Sequence, residues 1–535
     1  MKLVRSAPLL AAALLASSTL HAADATWDLL ITGGTVIDGT GKARFRADVA
    51  VDEGKIVRVS PTALSKASAA RVIDAGGKIV SPGFIDLHLH MNPVALPGGE
   101  NLVRQGVTTA LGGPDGGSPW PLADYLKKAD AQDLGMNVAY LVGHNTIRQD
   151  VMGLDNRAPT EAEMKEMKAR VAQGMKDGAF GLSTGLRYTP GVYSKIGEVI
   201  ELSKVAAEMG GIYTSHLRDE GAKLLDGVGE AIEIGRKAKI PVVLTHHKAV
   251  GSPNWGGSVK TLAMVDAARK EGIDVMLDQY PYTASHTDIS ILVPPEALAG
   301  GTKAFLGRAD DRSQNEGIME GIVWNIMNDR GAGDINNVQF SVVTWDRSLE
   351  GKTLKDWAVR EGLSPTPENG ARLVIEAIRR GGAGSIFHAI NEEDVRRIMQ
   401  HPFTAIATDG TVSKFGDGSP HPRSYGTFPR VLGHYARDQK VITLEEAVRK
   451  MTTLPADRLR LKDRGRVAEG AWADLVVFDP ATVADKATFQ APHQYPEGIP
   501  YVIVNGVPMV DNGKWSGAGP GQVLRRPGSA AVTQP

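Results

Sequence analysis

Six of the thirteen histidines, His88, His90, His216, His246, His247 and His388, stand where a short apolar run gives way to a polar loop. A single histidine in such a place is usually a hydrogen-bonded structural residue. The group reads differently. His88 and His90 are two apart on one expected strand, so both imidazoles project to the same side. His216 and His246 end two consecutive runs, and Asp409 ends the last one. Imidazole with carboxylate suits Zn²⁺ or a similar borderline divalent ion, one or two of them, whereas calcium would want mostly oxygens. The chain has no cysteine, which removes disulfides, a thiolate nucleophile and sulfur ligands. Any metal must be held by His, Asp, Glu or a modified Lys. His247, beside His246, points to the other face and reads as packing.

These residues require a frame that gathers strand ends. Between about residues 81 and 464, strand-like apolar runs alternate with amphipathic helical stretches, the pattern of βα units and a parallel sheet. Phe84-Ile85-Asp86 leads into His88, Val107 to Leu111 into a glycine-rich turn at Gly112 to Gly117, and Val138 to Val142 into Gly143-His144. Phe180 to Thr184, Gly211 to His216, Val242 to His246, Val275 to Asp278, Ile386 to His388 and Thr404 to Asp409 follow. Thr160 with Glu163 three residues on has the form of a helix-capping box. Polar residues at the carboxyl ends of successive parallel strands are how a (β/α)8 barrel builds its active face. Nine candidate strands are one too many, so one belongs to an insertion. The irregular stretch around 289–384 is expected to carry an excursion over the mouth.

Both chain ends have another texture, with short β-type runs punctuated by glycine such as Leu29 to Thr32, Lys55 to Val59, Asp474 to Asp479 and Tyr501 to Gly506. The expected fold class is therefore α/β: a TIM-like (β/α)8 barrel over 81–464, with a small β-sandwich domain formed from both termini, 26–80 and 465–516. Residues 517–535, rich in Gly and Pro, are expected to be a flexible tail.

Composition limits the partners. Across 535 residues, 60 Lys+Arg stand against 61 Asp+Glu. The balance gives no electrostatic case for nucleic acid or an anionic membrane, and points to a small-molecule substrate. Oligomerisation stays open. Met1 to Arg5 is a short basic start, Pro8 to Ala16 an apolar run, and Ala22, Ala23 and Ala25 supply small residues. That order over 1–25 is a cleaved secretory signal, predicting a periplasmic or secreted protein. No later stretch reaches the roughly 20 apolar residues needed to span a bilayer.

Pro82-Gly83-Phe84-Ile85-Asp86-Leu87-His88-Leu89-His90 resembles the opening strand of the amidohydrolase superfamily. More specific segments resemble the N-acyl-D-amino-acid deacylases, or D-aminoacylases: Gly143 to Arg148, Ser183 to Gly191, Thr245-His246-His247-Lys248, Asp278 to Ser285, Ala407 to Gly410, and His421 to Gly433. The likeness covers nearly the whole mature chain. It implies that His216 and His246 bind the tighter metal, that His88 and His90 form a weaker site, and that Asp409 is the catalytic acid/base. It also implies that Lys248 and Arg423 grip the substrate carboxylate and that Tyr282, or Tyr280, polarises the scissile carbonyl. His144 and His388 fit family patterns without a defined role. One position departs. Where that family has a cysteine ligand, this chain has Asp115, within Gly113-Pro114-Asp115-Gly116-Gly117. Asp115 either supplies an oxygen ligand or is a turn residue of a Pro-Asp-Gly loop.

The resemblance implies zinc-dependent hydrolysis of linear amides, releasing a carboxylate and a free D-amino acid. The alternatives are a hydantoinase, dihydroorotase or isoaspartyl dipeptidase of the same superfamily, or an inactive amidohydrolase-like binding protein. The former would be expected to use a carboxylated lysine, for which the Ser183-Thr184 strand end offers no candidate. An inactive relative should have lost several ligands.

Overall fold

In the computed structural model of the protein the described residues are 26–529. The secretory-signal expectation for 1–25 lies outside them.

Eight parallel strand positions carry the centre of the molecule: β1 (Phe84–Asp86), β2 (Val107–Gly112), β3 (Asn137–Tyr140), β4 (Gly181–Gly185), β5 (Ile212–His216), β6 (Val242–Leu244), β7 (Val275–Gln279) and β8 (Thr404–Ile406). β1, β2 and β3 pair in order. The short extension Val142–Gly143 beyond β3 pairs with β4, and pairing continues through β5, β6 and β7 to β8. Beyond β8, Gly410–Thr411 pairs in parallel with Leu89–His90, just past β1. The pairings thus return from the last strand to the first.

Period-two alternation shows why these sequences form strands. Ile85, Leu111, Ala139, Phe180, Ile212, Val243, Met276 and Ala405 join one buried cluster, while alternate residues such as Phe84, Ala110, Val138, Tyr213, Val242 and Leu277 join another that includes the helices. Strands buried on both faces read as continuous apolar runs. The capping box is formed: Thr160 Oγ1 accepts from the Glu163 amide, and Glu163 Oε2 accepts from the Thr160 amide at 2.8 Å, opening the helix Glu161–Lys176.

The surplus strand candidate, Ile386 to His388, belongs elsewhere. Gly384–Phe387 pairs antiparallel with Ser285–Asp288 and with Val338–Val342. This small sheet and the helices Gly301–Asp310, Arg312–Asn328, Leu354–Arg360 and Pro367–Arg379 enclose an apolar core of their own around Phe305, Phe340 and Trp357. The excursion is therefore a packed unit.

The chain ends meet in one nine-stranded sheet, where Ile79–Pro82 pairs antiparallel with Leu475–Phe478. A buried polar network ties it to the parallel strands. Asp474 accepts from Arg464 and from Asn137 Nδ2 of β3, while Asn505 Nδ2 donates to Asn137 Oδ1 at 2.8 Å. The expected flexibility of the tail does not hold for its described part. The Val138 amide donates to Gln522 O at 2.9 Å, the Leu524 amide donates to Val138 O at 2.7 Å, and Val523 is buried. Backbone pairing along β3 anchors what composition alone marked as loose. Among the described residues no helix is long and apolar enough to cross a membrane.

Candidate metal centre

The strand ends bring seven of the expected residues to one cavity of about 590 Å³: His90, Asp115, His216, His246, Lys248, Asp409 and Arg423. His88 lies directly behind, fully buried, its Nε2 3.4 Å from Asp115 Oδ2 and 3.5 Å from Asp409 Oδ1. Two ligand-like groups result. One is His88, His90, Asp115 and Asp409; the other is Asp115, His216 and His246. Asp115 belongs to both. Its Oδ1 is 3.3 Å from His246 Nε2, which is itself 2.8 Å from His216 Nδ1.

The backbone pays attention to these positions. Asp115 (φ 54), His246 (φ 38) and Asp409 (φ 48) are non-glycine residues in the left-handed region. That conformation costs roughly 1–3 kcal/mol and persists only where the surroundings enforce it. Here they do: Asp278 Oδ1 accepts from the His246 amide at 2.6 Å, and the Asp409 amide donates to His88 O at 2.9 Å. In the Asp115 turn, a side chain at Gly116 would place its Cβ 2.1 Å from Asn145 Oδ1, so only glycine lets the turn seat. Asp86 locks the first strand to the last, accepting from the His88 amide at 3.1 Å, the Thr408 amide at 3.0 Å and Thr408 Oγ1 at 2.5 Å. Burial pushes its carboxyl up to about 7 against those bonds.

The charges fit a cation. Burial alone would raise the Asp115 and Asp409 carboxyls, yet both are held far below the usual carboxylate range. Neighbouring imidazoles do this for Asp115, and Arg423 with the imidazoles for Asp409. Burial and Lys248 oppose a proton on His246, but Asp115 and Glu220 push its pKa up to about 10, while burial drives His216 down to about 3. Two imidazole nitrogens 2.8 Å apart cannot both be charged. Both ring nitrogens of His88 and Oδ1 of Asp115 are buried with no hydrogen-bond partner. Such orphaned nitrogen and oxygen donors, converging without sulfur, match the ligand preferences of zinc.

The other expected residues divide. Lys248 Nζ donates to Glu220 Oε1 at 2.5 Å, and Arg423 Nη1 donates to Asp409 Oδ2 at 2.7 Å. Tyr282 does not reach the cavity: it packs on His421 and Phe489, its hydroxyl 3.5 Å from Pro422 O. Tyr280 does line the cavity, with a buried hydroxyl that has no partner. His247 Nε2 pairs with Thr261 Oγ1 at 2.8 Å, on the face away from Asp115. His144 is paired with Glu198 at 2.8 Å, and His388 with Gln339 at 3.0 Å. Neither touches the cavity.

Glu220, Arg330 and Tyr188 are among the lining residues that were not anticipated. Tyr188 sits in a segment that carried the resemblance, its ring 4.5 Å from that of His216. Glu220 follows His216 by four residues of loop, where spacing carries no periodic signal. Arg330 has no local signal, since it comes from the excursion.

Comparison with known proteins agrees with this geometry. The model of the amidohydrolase family matches residues 71–287 and 341–510. An N-acyl-D-glutamate deacylase of Alcaligenes xylosoxydans xylosoxydans is 39% identical over 94% of this chain and 98% of its own length. The crystal structure of the N-acyl-D-glutamate deacylase of Bordetella bronchiseptica, complexed with zinc and a phosphonate mimic of the tetrahedral intermediate, superposes with a TM-score of 0.80. It is 37% identical and covers 94% of this chain and 100% of that one. A D-aminoacylase structure, solved in work on the role of its binuclear metal centre, gives a TM-score of 0.79 at 36% identity over 94% and 100% of the two chains. With the family pattern spanning both halves of the chain and these relatives matched over nearly their whole length, the protein belongs to the amidohydrolase family, in its group of N-acyl-D-amino-acid deacylases.

Proposed function

We propose that this protein is a zinc-dependent deacylase of N-acyl-D-amino acids, hydrolysing the amide to a carboxylate and a free D-amino acid. The observation that carries the reading is Asp115, a carboxylate only 11% exposed that lines the cavity and is shared by two ligand groups. The returning parallel pairings, with a side chain from each strand, or just before it in the case of Phe180, gathered in one core, support a (β/α)8 barrel. Leu29, Val49, Leu475 and Ile503 share one core, which supports a sheet folded on itself as a sandwich. The amino-terminal residue order supports export to the periplasm.

His216, His246 and Asp115 would hold one ion, and His88, His90 and Asp115 a second. A bound divalent ion supplies Lewis acidity that lowers the pKa of water toward about 7 and polarises a carbonyl. Asp409 moves the proton. Its Oδ2 is occupied by Arg423, while Oδ1 stays close to His88 and His90, so Oδ1 takes the proton from the attacking water and returns it to the departing nitrogen. Tyr280, rather than Tyr282, presents a hydroxyl to the substrate carbonyl. Lys248, Arg330 and Arg423 line the cavity together with Asp115, Glu220, Asp288 and Asp409, which with neutral histidines leaves one net negative charge that a single divalent ion reverses. That balance favours an anionic substrate, with the Arg423 fork suited to its carboxylate. The lining lysine, Lys248, is engaged by Glu220, which speaks against a carboxylated-lysine site.

The test is a screen of N-acetyl-D- and N-acetyl-L-amino acids against zinc-loaded enzyme. Hydrolysis confined to D substrates is expected; no turnover with any divalent ion would sink the reading.

A further inference from the structure

Glu220 has no part in the proton transfer above, yet it is among the most buried groups of the cavity, 4% exposed. Each of its two oxygens accepts from one cation and has one ring nitrogen nearby. Oε1 accepts from Lys248 Nζ at 2.5 Å and lies 3.1 Å from His246 Nδ1. Oε2 accepts from Arg330 Nη2 at 2.7 Å and lies 3.5 Å from His216 Nε2. The opposite nitrogens of the same rings, His246 Nε2 and His216 Nδ1, are the ones turned to Asp115. Each ring therefore shows its inner nitrogen to the ligand group and its outer nitrogen to the same carboxylate.

An imidazole ligates a metal through a nitrogen that carries no hydrogen, which leaves the hydrogen on the other nitrogen. A carboxylate at that outer nitrogen accepts the N–H, selects the tautomer and raises the basicity of the inner one. Lys248 Nζ also approaches His246 Nδ1, at 2.7 Å. Two donors cannot bond to each other, but Oε1 lies within reach of both and has lone pairs for each.

We propose that Glu220 is a positioning residue, a single carboxylate that fixes the metal-binding tautomers of His216 and His246 while anchoring Lys248 and Arg330. This rests on the reading of the two histidines as metal ligands. Arg330 follows the excursion helix Arg312–Asn328, and its Nη1 also donates to Ser285 Oγ at 3.1 Å. Through Glu220 the excursion is stitched to the metal centre, so its seating and the grip on metal are linked.

Zinc affinity measured by competition with a chromogenic chelator, together with kcat and KM, tests this in wild type, Glu220→Asp and Glu220→Gln. The shorter aspartate keeps the charge that holds Lys248 and Arg330 but retreats from the rings. Both variants are expected to bind zinc about 10- to 100-fold more weakly, with the larger loss in Glu220→Gln and kcat falling more than KM rises. Folded variants with affinity and kcat indistinguishable from wild type would overturn the proposal. A crystal structure of the zinc-loaded wild type decides independently of how the variants fold. It should show zinc on His216 Nδ1 and His246 Nε2 and Glu220 within about 3.2 Å of the outer nitrogens; zinc on the outer nitrogens, or Glu220 turned away, overturns it. If the wild type retains no divalent ion, the metal reading itself fails and the proposal falls with it. If it retains zinc while the variants match it, only the role of Glu220 fails.

Discussion

Arg423 Nη1 lies 2.7 Å from Asp409 Oδ2, and both side chains are buried at the mouth of the last strand. The pairing leaves the other oxygen, Oδ1, to the imidazoles, 3.2 Å from His90 Nε2 and 3.5 Å from His88 Nε2. Asp409→Asn keeps that shape but cannot accept the proton. Turnover should drop by about 10²- to 10⁴-fold, with zinc content unchanged by elemental analysis. Retained turnover would place the proton on another group.

Arg423 is asked to do two things, to hold Asp409 ionised and to offer its fork to the substrate carboxylate. Arg423→Lys preserves the charge but not the planar pair of donors. Loss of one charge-assisted hydrogen bond is worth about 1.5–3 kcal/mol, so KM should rise roughly tenfold or more. Unaltered KM would make Arg423 a purely structural partner.

For Asp115, asparagine is the discriminating substitution. After glycine, Asp and Asn best tolerate the left-handed backbone that Asp115 adopts at φ 54. Asp115→Asn therefore preserves the Pro-Asp-Gly turn while removing the anionic oxygens that face His88 and His246. Zinc stoichiometry or affinity should fall while the melting temperature of the metal-free protein stays close to wild type. Unchanged metal binding would leave Asp115 as a turn residue.

The histidines were legible because strand geometry is local. His88 and His90 are two apart, and His216 and His246 end neighbouring strands, so periodicity and parallel pairing bring them together. Glu220 and Arg330 were not legible for the opposite reason. Their meaning comes from a 2.7 Å contact across 110 positions of chain, made by a unit that folds around its own core. The choice between Tyr280 and Tyr282 fell to the loop, since β7 ends at Gln279 and alternation no longer applies beyond it. The Gly- and Pro-rich tail looked loose because composition does not reveal the backbone edge of β3 that receives it.

Lys450 offers a pH-dependent test away from the metal centre. It is fully buried, donates to His401 O at 2.5 Å and Thr404 O at 3.1 Å, and lies 3.5 Å from Glu446. Burial lowers its pKa from 10.5 to about 8, only partly offset by Glu446. The unfolded chain then binds the proton that the folded chain has released throughout the window between those two values. Stability contributed by this group rises with pH across that window, by up to about 3 kcal/mol. Below pH 8 the full penalty of a buried ammonium is present, and above 10.5 it is gone. Lys450→Met loses the two carbonyl contacts at every pH, so its absolute stability is not the readout. The informative quantity is the stability of the variant minus that of wild type, followed by thermal melts from pH 7.5 to 10.5, where other titrating groups cancel. That difference should turn steadily against the variant as pH rises, because wild type alone is relieved of its buried charge. A difference that stays flat across the window would mean the ammonium is fully compensated by His401 O, Thr404 O and Glu446.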